Sequence, residues 1–322
     1  MIVNLQKQSS VELQQLKAEI EPLAKPNAMR WFLCIAFDWF WIVAAFVAMW
    51  LLIDAPLIVS IPGWLACLIV IGARQHGIGL MAHEGAHLAV SSNRRRNDLI
   101  TGLFSFWFLG IALRPYRRFH FSHHRHVGTK DDPELKHKLH PSPFLRHWKL
   151  PLQPVKDAVI CVLDLFGGGV PHSAYAIGVL MAPRRLIDFV IPKLYQVAWV
   201  IGLYFMGLWW VALVWFLALG TTFWMSFRIR IWTEHVVEQG ADDPTQRISA
   251  KWWQRFLFLP HQTWCHWEHH FTWDVLRQRV PSWNLAHARE ILSGDGFPPV
   301  RSLESMVKSL RSAPPSLGTL TE

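Results

Sequence analysis

"WFLCIAFDWFWIVAAFVAMWLLIDAPLIVSIPGWLACLIVIGA", residues 31–73, contains no lysine and no arginine. As a single helix its 43 residues would reach about 64 Å at ~1.5 Å per residue. The hydrocarbon core of a bilayer is only about 30 Å thick. The run therefore reads as two membrane spans folded into a hairpin, turning at "IDAP" around Asp54–Pro56. A second cation-free run, residues 194–227, would be about 51 Å long as one helix and reads the same way, with its turn near Gly207.

The placement of positive charge supports the hairpins. Of 32 lysines and arginines, 4 precede residue 31, 17 lie between 74 and 193, and 11 follow 227. Two hairpins put all of them on one face, as the positive-inside rule expects of a cytoplasmic side. Two single spans would divide them 17 against 15. The chain is 52% hydrophobic and 17% charged, against roughly 25% charged in a soluble protein, and carries 19 tryptophans. Its net charge of +9 thus reads as a topology signal, not as a nucleic-acid surface. The expected fold is all-α and integral to the membrane: two transmembrane hairpins, four spans, with a cytoplasmic helical cap.

Residues 1–30 read as a cytoplasmic amphipathic segment without the apolar core of a secretory signal, 31–303 as the membrane domain, and 304–322 as a disordered tail. The apolar stretches 99–113 and 157–170 are too short to span comfortably and read as interfacial or partly buried. Four cysteines with no C-x-x-C pair indicate neither a disulfide framework nor a zinc knuckle.

None of the 17 histidines falls inside either cation-free run. They follow the first hairpin, in "HEGAH" (83–87) and "HFSHHRH" (120–126), or the second, in "RIWTEHVV" and "HQTWCHWEHH" (261–270). On a helix His83 and His87 lie about 40° apart, and His120, His123 and His124 share a face about 100° wide. His266, His269 and His270 repeat that spacing. Converging faces would offer eight imidazoles, nine with His235, too many for one ion and about right for two. All-nitrogen sets suit iron, copper, zinc or nickel.

"HEGAH", "HFSHH" and "HWEHH" resemble the three histidine boxes of the integral-membrane fatty acid desaturase superfamily. "HHRHVGTKDDPEL" resembles its second box with the following acidic turn, and "HWEHHFTWDVLRQRVPSWNLAHAREIL" its third box with the trailing segment. The resemblance runs from about residue 60 to about 292. It implies four spans, cytoplasmic boxes and a non-haem di-iron centre using dioxygen. The implied ligands are His83, His87, His120, His123, His124, His266, His269 and His270, with His235 standing where the superfamily often has a further one. Glu84, Asp132, Glu234 and Glu268 either orient these rings through their free N–H groups or are ordinary solvated charges.

The implied activity is an oxygen-dependent desaturase acting on a fatty acyl chain or similar lipid. Three residues separate the first pair of histidines, unlike the four typical of acyl-coenzyme A delta-9 enzymes, and the third box begins with His266 where front-end desaturases usually carry glutamine. No fused cytochrome b5 motif is present, so electrons are expected from a separate ferredoxin or cytochrome partner. A lipid or carotenoid hydroxylase or ketolase is the alternative within the superfamily. A metal transporter is a remote third reading, because both runs are almost free of the midplane polar groups it needs.

The remaining histidines are set aside. His126 and His261 point away from the presumed metal faces if their segments are helical, and His137, His140 and His147 fall in a segment read as a solvated loop. His76 shares the face of His83 about 10 Å deeper, as a satisfied buried residue or part of a substrate channel. Asp38, the one charge well inside the first run, is either functional or reaches the headgroups.

Overall fold

Among the described residues, four helices are long and apolar enough to cross a membrane, as the two cation-free runs predict. The computed structural model describes residues 10–138, 140, 154–235, 245–294 and 296–312. A short helix α1 (Ser10–Ile20) leads into α2 (Ala28–Leu51), whose start is capped by the Asn27 side chain accepting from the Arg30 amide at 3.0 Å. The chain turns through Leu52–Pro56 into α3 (Leu57–Ala86). The later helices α4 (Arg94–Thr101), α5 (Leu113–His126), α6 (Pro133–Lys138), α7 (Pro154–Leu165) and α8 (Val170–Tyr175) lie between the hairpins. The second hairpin is α9 (Leu186–Phe205) followed by α10 (Trp209–Gly220) and α11 (Thr222–Glu234). Gly207, at φ +73° with open space around it, makes the tight reversal that a side chain at that φ would strain.

The first hairpin is not symmetric. α2 has 24 residues, but α3 has 30, about 45 Å, so one end of α3 must leave a ~30 Å core. Most of residues 57–70 are exposed, whereas every residue from Ile71 to Ala86 except Gly79 is buried. The exposed half suits contact with lipid; the buried half is wrapped by other helices. Hydrogen bonds from side chains to helix carbonyls tie this bundle together: Trp31 to Met81 (2.8 Å), Gln75 to Trp215 (2.9 Å), Ser105 to Ile78 (2.7 Å) and Thr222 to Leu68 (2.6 Å).

Asp38 is fully buried and does not reach for headgroups. One carboxylate oxygen pairs with Arg74 at 3.2 Å and the other with His261 at 2.6 Å. It can approach α3 this closely because residue 77 is glycine; a Cβ there would overlap the carboxylate.

Beyond the spans, α12 (Trp252–Leu257), α13 (His266–His270) and α14 (Leu285–Ile291) follow. A two-residue parallel pairing joins β1 (Ile248–Ser249) to β2 (Arg301–Ser302). α1 packs Ile20 against Cys265, Leu285 and Ala288 in a small core of its own. α15 (Leu303–Ser312) corrects the expectation of a disordered tail from residue 304: Met306 is fully buried, and Leu303 packs with Ile248 and Leu259. Apolar residues at helical spacing supply that anchorage; the rest of the segment, 313–322, lies outside the described residues.

Candidate metal centre

The end of α3 is held before its histidines can be placed. Leu88 takes a left-handed conformation (φ 65°) and the Ala89 amide turns back to the Glu84 carbonyl at 3.1 Å, closing the helix. Arg117 of α5 donates to the carbonyls of Ala86 (2.9 Å) and Gly85 (3.1 Å) and forks onto Asp98 of α4. It satisfies orphan helix-end carbonyls and fixes α5 across the tip of α3. His83 and His87 thereby face His120, His123 and His124.

The third box is positioned from the other side. His261 and Gln262 occupy successive left-handed conformations (φ 52° and 61°), and His261 is pinned there by Asp38. α13 then presents His266, His269 and His270 inward and Glu268 outward. A π-helical turn, Phe271–Val275, follows and brings Asp274 beneath the rings.

All nine expected histidines meet in one buried centre. His83, His87, His120 and His269 form one four-nitrogen group; His123, His235, His266 and His270 form a second. His124 lies between them, its Nε2 3.0 Å from that of His120 and 3.1 Å from that of His269, with its ring centroid 4.4 Å from that of His270. A third group, His124, His270 and Asp274, shares residues with these.

The hydrogen bonds fix how the rings are turned. A carboxylate only accepts, so His123 must carry its proton on Nδ1, 2.9 Å from Asp132. The same holds for His124 and His270, 3.1 and 3.0 Å from Asp274, and for His266, 3.3 Å from Glu234. In a neutral ring the opposite nitrogen, Nε2, is then a lone pair. Burial, followed by repulsion from neighbouring imidazoles, holds His120, His124, His266 and His269 well below the usual histidine range. His87 is pushed down to about 3 by burial and then by the charges of Arg279, His270 and Arg117. His270 is lowered by burial too, with Asp274 opposing.

Nε2 of His124 and of His266 therefore turns a lone pair toward the neighbouring rings, and the ring nitrogens converge as the donors of a metal site do. Nε2 atoms lie 2.7 Å apart in His87–His120, 2.8 Å in His235–His266 and 3.3 Å in His83–His269. Donors ~2.1 Å from a shared ion sit about 3 Å from each other. His270 Nε2 is buried and makes no hydrogen bond. The donor set fits metal ions.

Two of the four acids considered for orienting rings do so: Asp132 on His123 and Glu234 on His266. Glu268, fully buried, instead binds Arg247 (2.7 Å) and Arg289 (2.6 Å), and Glu84 accepts from the Ser282 amide (2.9 Å). Both hold the site's frame. Asp274 and Tyr116 were missed. Asp274 stands four residues after His270 and Tyr116 four before His120, so the helical spacing already used for the boxes would have found them. The Tyr116 hydroxyl is 3.0 Å from His83 Nδ1, and its ring stacks on His120.

His126 binds the Ser122 carbonyl and His261 binds Asp38, both outside the nitrogen groups. His137 is not in a solvated loop: it is buried, with its ring 4.9 Å from that of Tyr175. His140 also packs on Tyr175, at 5.0 Å, and His147 lies outside the described residues.

A largely apolar cavity of about 170 Å³ adjoins the centre. His83, His120, His123 and His266 contribute to its wall, with Leu80, Phe106, Leu109, Phe119, Ile177, Leu180, Phe223 and Phe227. His76 and His137 line it as well.

Residues 60–299 match the family model described as "Fatty acid desaturase". Two beta-carotene ketolases from different Paracoccus strains are similar over shorter stretches. One is 36% identical over 62 residues, covering 19% of this chain and 26% of the relative. The other is 30% identical over 100 residues, covering 30% and 39%. The chain thus matches well under half the length of these curated relatives.

Proposed function

The chain belongs to the fatty acid desaturase family, and we propose that it is an oxygen-dependent membrane oxidoreductase acting on a lipid chain, foremost a fatty acyl (acyl-lipid) desaturase. The observation that carries this reading is the adjacency of two four-histidine groups to one apolar cavity. A ligand in that cavity lies against both groups at once.

The residues that would hold two iron ions are His83, His87, His120 and His269 for one, His123, His235, His266 and His270 for the other, with His124 between. Bound there, the irons supply dioxygen activation for removing hydrogen from an unactivated C–H bond. The protein's own part is positional. Asp132, Asp274 and Glu234 keep protons on Nδ1 and leave Nε2 free to ligate. The Tyr116 hydroxyl steadies His83 on the cavity side. The aromatic walls exclude water and hold an apolar chain at a fixed depth, so that one carbon is presented repeatedly.

Removing hydrogen from two neighbouring carbons gives a double bond; placing oxygen on one gives an alcohol and then a ketone. The matches to beta-carotene ketolases favour the second outcome as the alternative, a carotenoid or lipid hydroxylase or ketolase. The one-sided distribution of lysine and arginine supports termini and histidines on the cytoplasmic face, where a separate ferredoxin or cytochrome donor would deliver electrons.

Metal analysis after reconstitution with ferrous iron should find about two ions per chain; folded protein that retains none overturns the metal assignment. Lipid profiling of a host expressing wild type beside His124→Ala separates the outcomes. A new double bond identifies the desaturase, and a new hydroxyl or ketone the alternative. Identical profiles in a host that supplies lipid and reductant would remove the catalytic role.

A further inference from the structure

His76 is a buried imidazole in the cavity wall that the metal centre does not use. It lies two helical turns before His83 on the same face of α3, about 10 Å along the axis. The rings of Phe223 and Phe227 meet it edge-on, with centroids 6.0 and 5.4 Å away, and fix its plane.

Its tautomer follows from its neighbours. Ser226 donates its only hydroxyl hydrogen to the Leu257 carbonyl. Toward His76 Nδ1, 3.3 Å away, the serine oxygen can only accept. Nδ1 therefore carries the imidazole proton. The ring is neutral, since it is buried against Phe223 and Phe227 and its hydrogen-bond neighbour is an uncharged hydroxyl. Nε2 is consequently a lone pair, and it has no hydrogen-bond partner. A buried acceptor without a partner favours a ligand that donates to it.

We propose that His76 is a specificity-determining acceptor that reads a hydrogen-bond donor, a hydroxyl or amide N–H, on the lipid held in this cavity. The substrate class narrows accordingly, from any long apolar chain to one bearing a donor about 10 Å from the carbon presented to the histidine centre. An ether, ketone or plain hydrocarbon of the same shape leaves Nε2 unmatched. The distance to the reacting carbon rests on the oxidoreductase reading; the preference for a donor does not, since it concerns binding alone.

The test is binding to the purified full chain in lipid nanodiscs, read by quenching of tryptophan fluorescence, with Trp224 in the cavity wall as a nearby reporter. The probes are four C18 chains of matched length: a hydrocarbon, a secondary alcohol, the corresponding ketone and a secondary amide. Wild type should bind the alcohol or the amide about tenfold more tightly than the ketone and hydrocarbon. Whichever donor binds better identifies the group read. His76→Phe should erase the difference while binding the hydrocarbon as well as wild type does. Should that variant fold poorly, Ser226→Ala, which frees the imidazole to move its proton to Nε2, should shift preference toward the ketone. Equal binding of all four chains by wild type overturns the proposal, as does a donor preference that survives in His76→Phe. Loss of lipid oxidation with the binding preference intact would instead count against the proposed activity.

Discussion

Two buried histidine environments in this protein reach opposite electrostatic outcomes. His124 has a carboxylate, Asp274, 3.1 Å from Nδ1, and His261 has Asp38 2.6 Å from Nε2. Yet burial and then the surrounding imidazoles of His270, His120, His269 and His87 hold His124 far below its usual range. For His261, burial pulls down as well, but the charge and hydrogen bond of Asp38 outweigh it and raise the ring to about 9. The carboxylate alone does not decide. What decides is whether the ring stands in a crowd of other imidazoles, where protons are excluded and lone pairs remain, or apart from them beside its carboxylate. One arrangement builds a ligand set and the other builds a clamp.

Breaking the clamp should produce the largest change. Asp38→Leu removes the fully buried partner of two cationic groups, Arg74 and His261. It should cost about 3–5 kcal/mol, measured by denaturant unfolding in detergent micelles. A variant as stable as wild type would mean the pair contributes nothing and the contrast is empty.

A pH titration sharpens the same contrast. A histidine held above its ordinary value contributes fully below about pH 6.5, and the contribution is lost as pH rises through about 9. Melting temperature should therefore fall between those values, by the equivalent of up to roughly 3 kcal/mol. His261→Gln should melt lower and lack this dependence.

Within the ligand set the effects are smaller. Asp274 serves two rings and Asp132 serves one. Asp274→Asn should weaken metal binding by about 10- to 100-fold, and Asp132→Asn by about tenfold, in chelator competition. Equal losses would show that the doubly used carboxylate has no special part.

The spans and the histidine spacing were legible because both are local patterns, set by consecutive apolar residues and by rings on one helical face. The partners of Asp38 were not: His261 is 223 residues away, and nothing near either residue announces the other. Glu268 shows the converse failure. It sits inside a histidine box, but turns to Arg247 and Arg289 on the opposite side of a short helix. His137 looked solvated among lysines and prolines, and only tertiary packing against Tyr175 buries it. α15 was hidden because its short amphipathic stretch adjoins a tail rich in proline, serine and glycine.

The continuity of α3 joins two quantities that an enzyme with a separate hinge could adjust independently. Lipid-exposed residues give way to buried ones at Ile71, and the same helix then runs to His83 and the edge of His87. Depth in the bilayer and rotational phase at the histidine centre are set on one rod. A residue inserted between Ile71 and His83 would lift both rings by ~1.5 Å and swing them through about 100°. Evolution can lengthen such a span only in steps that restore the phase, so the chain positions open to variation are those on other elements: the walls contributed by α8 and α11, which can change the cavity without turning the rings.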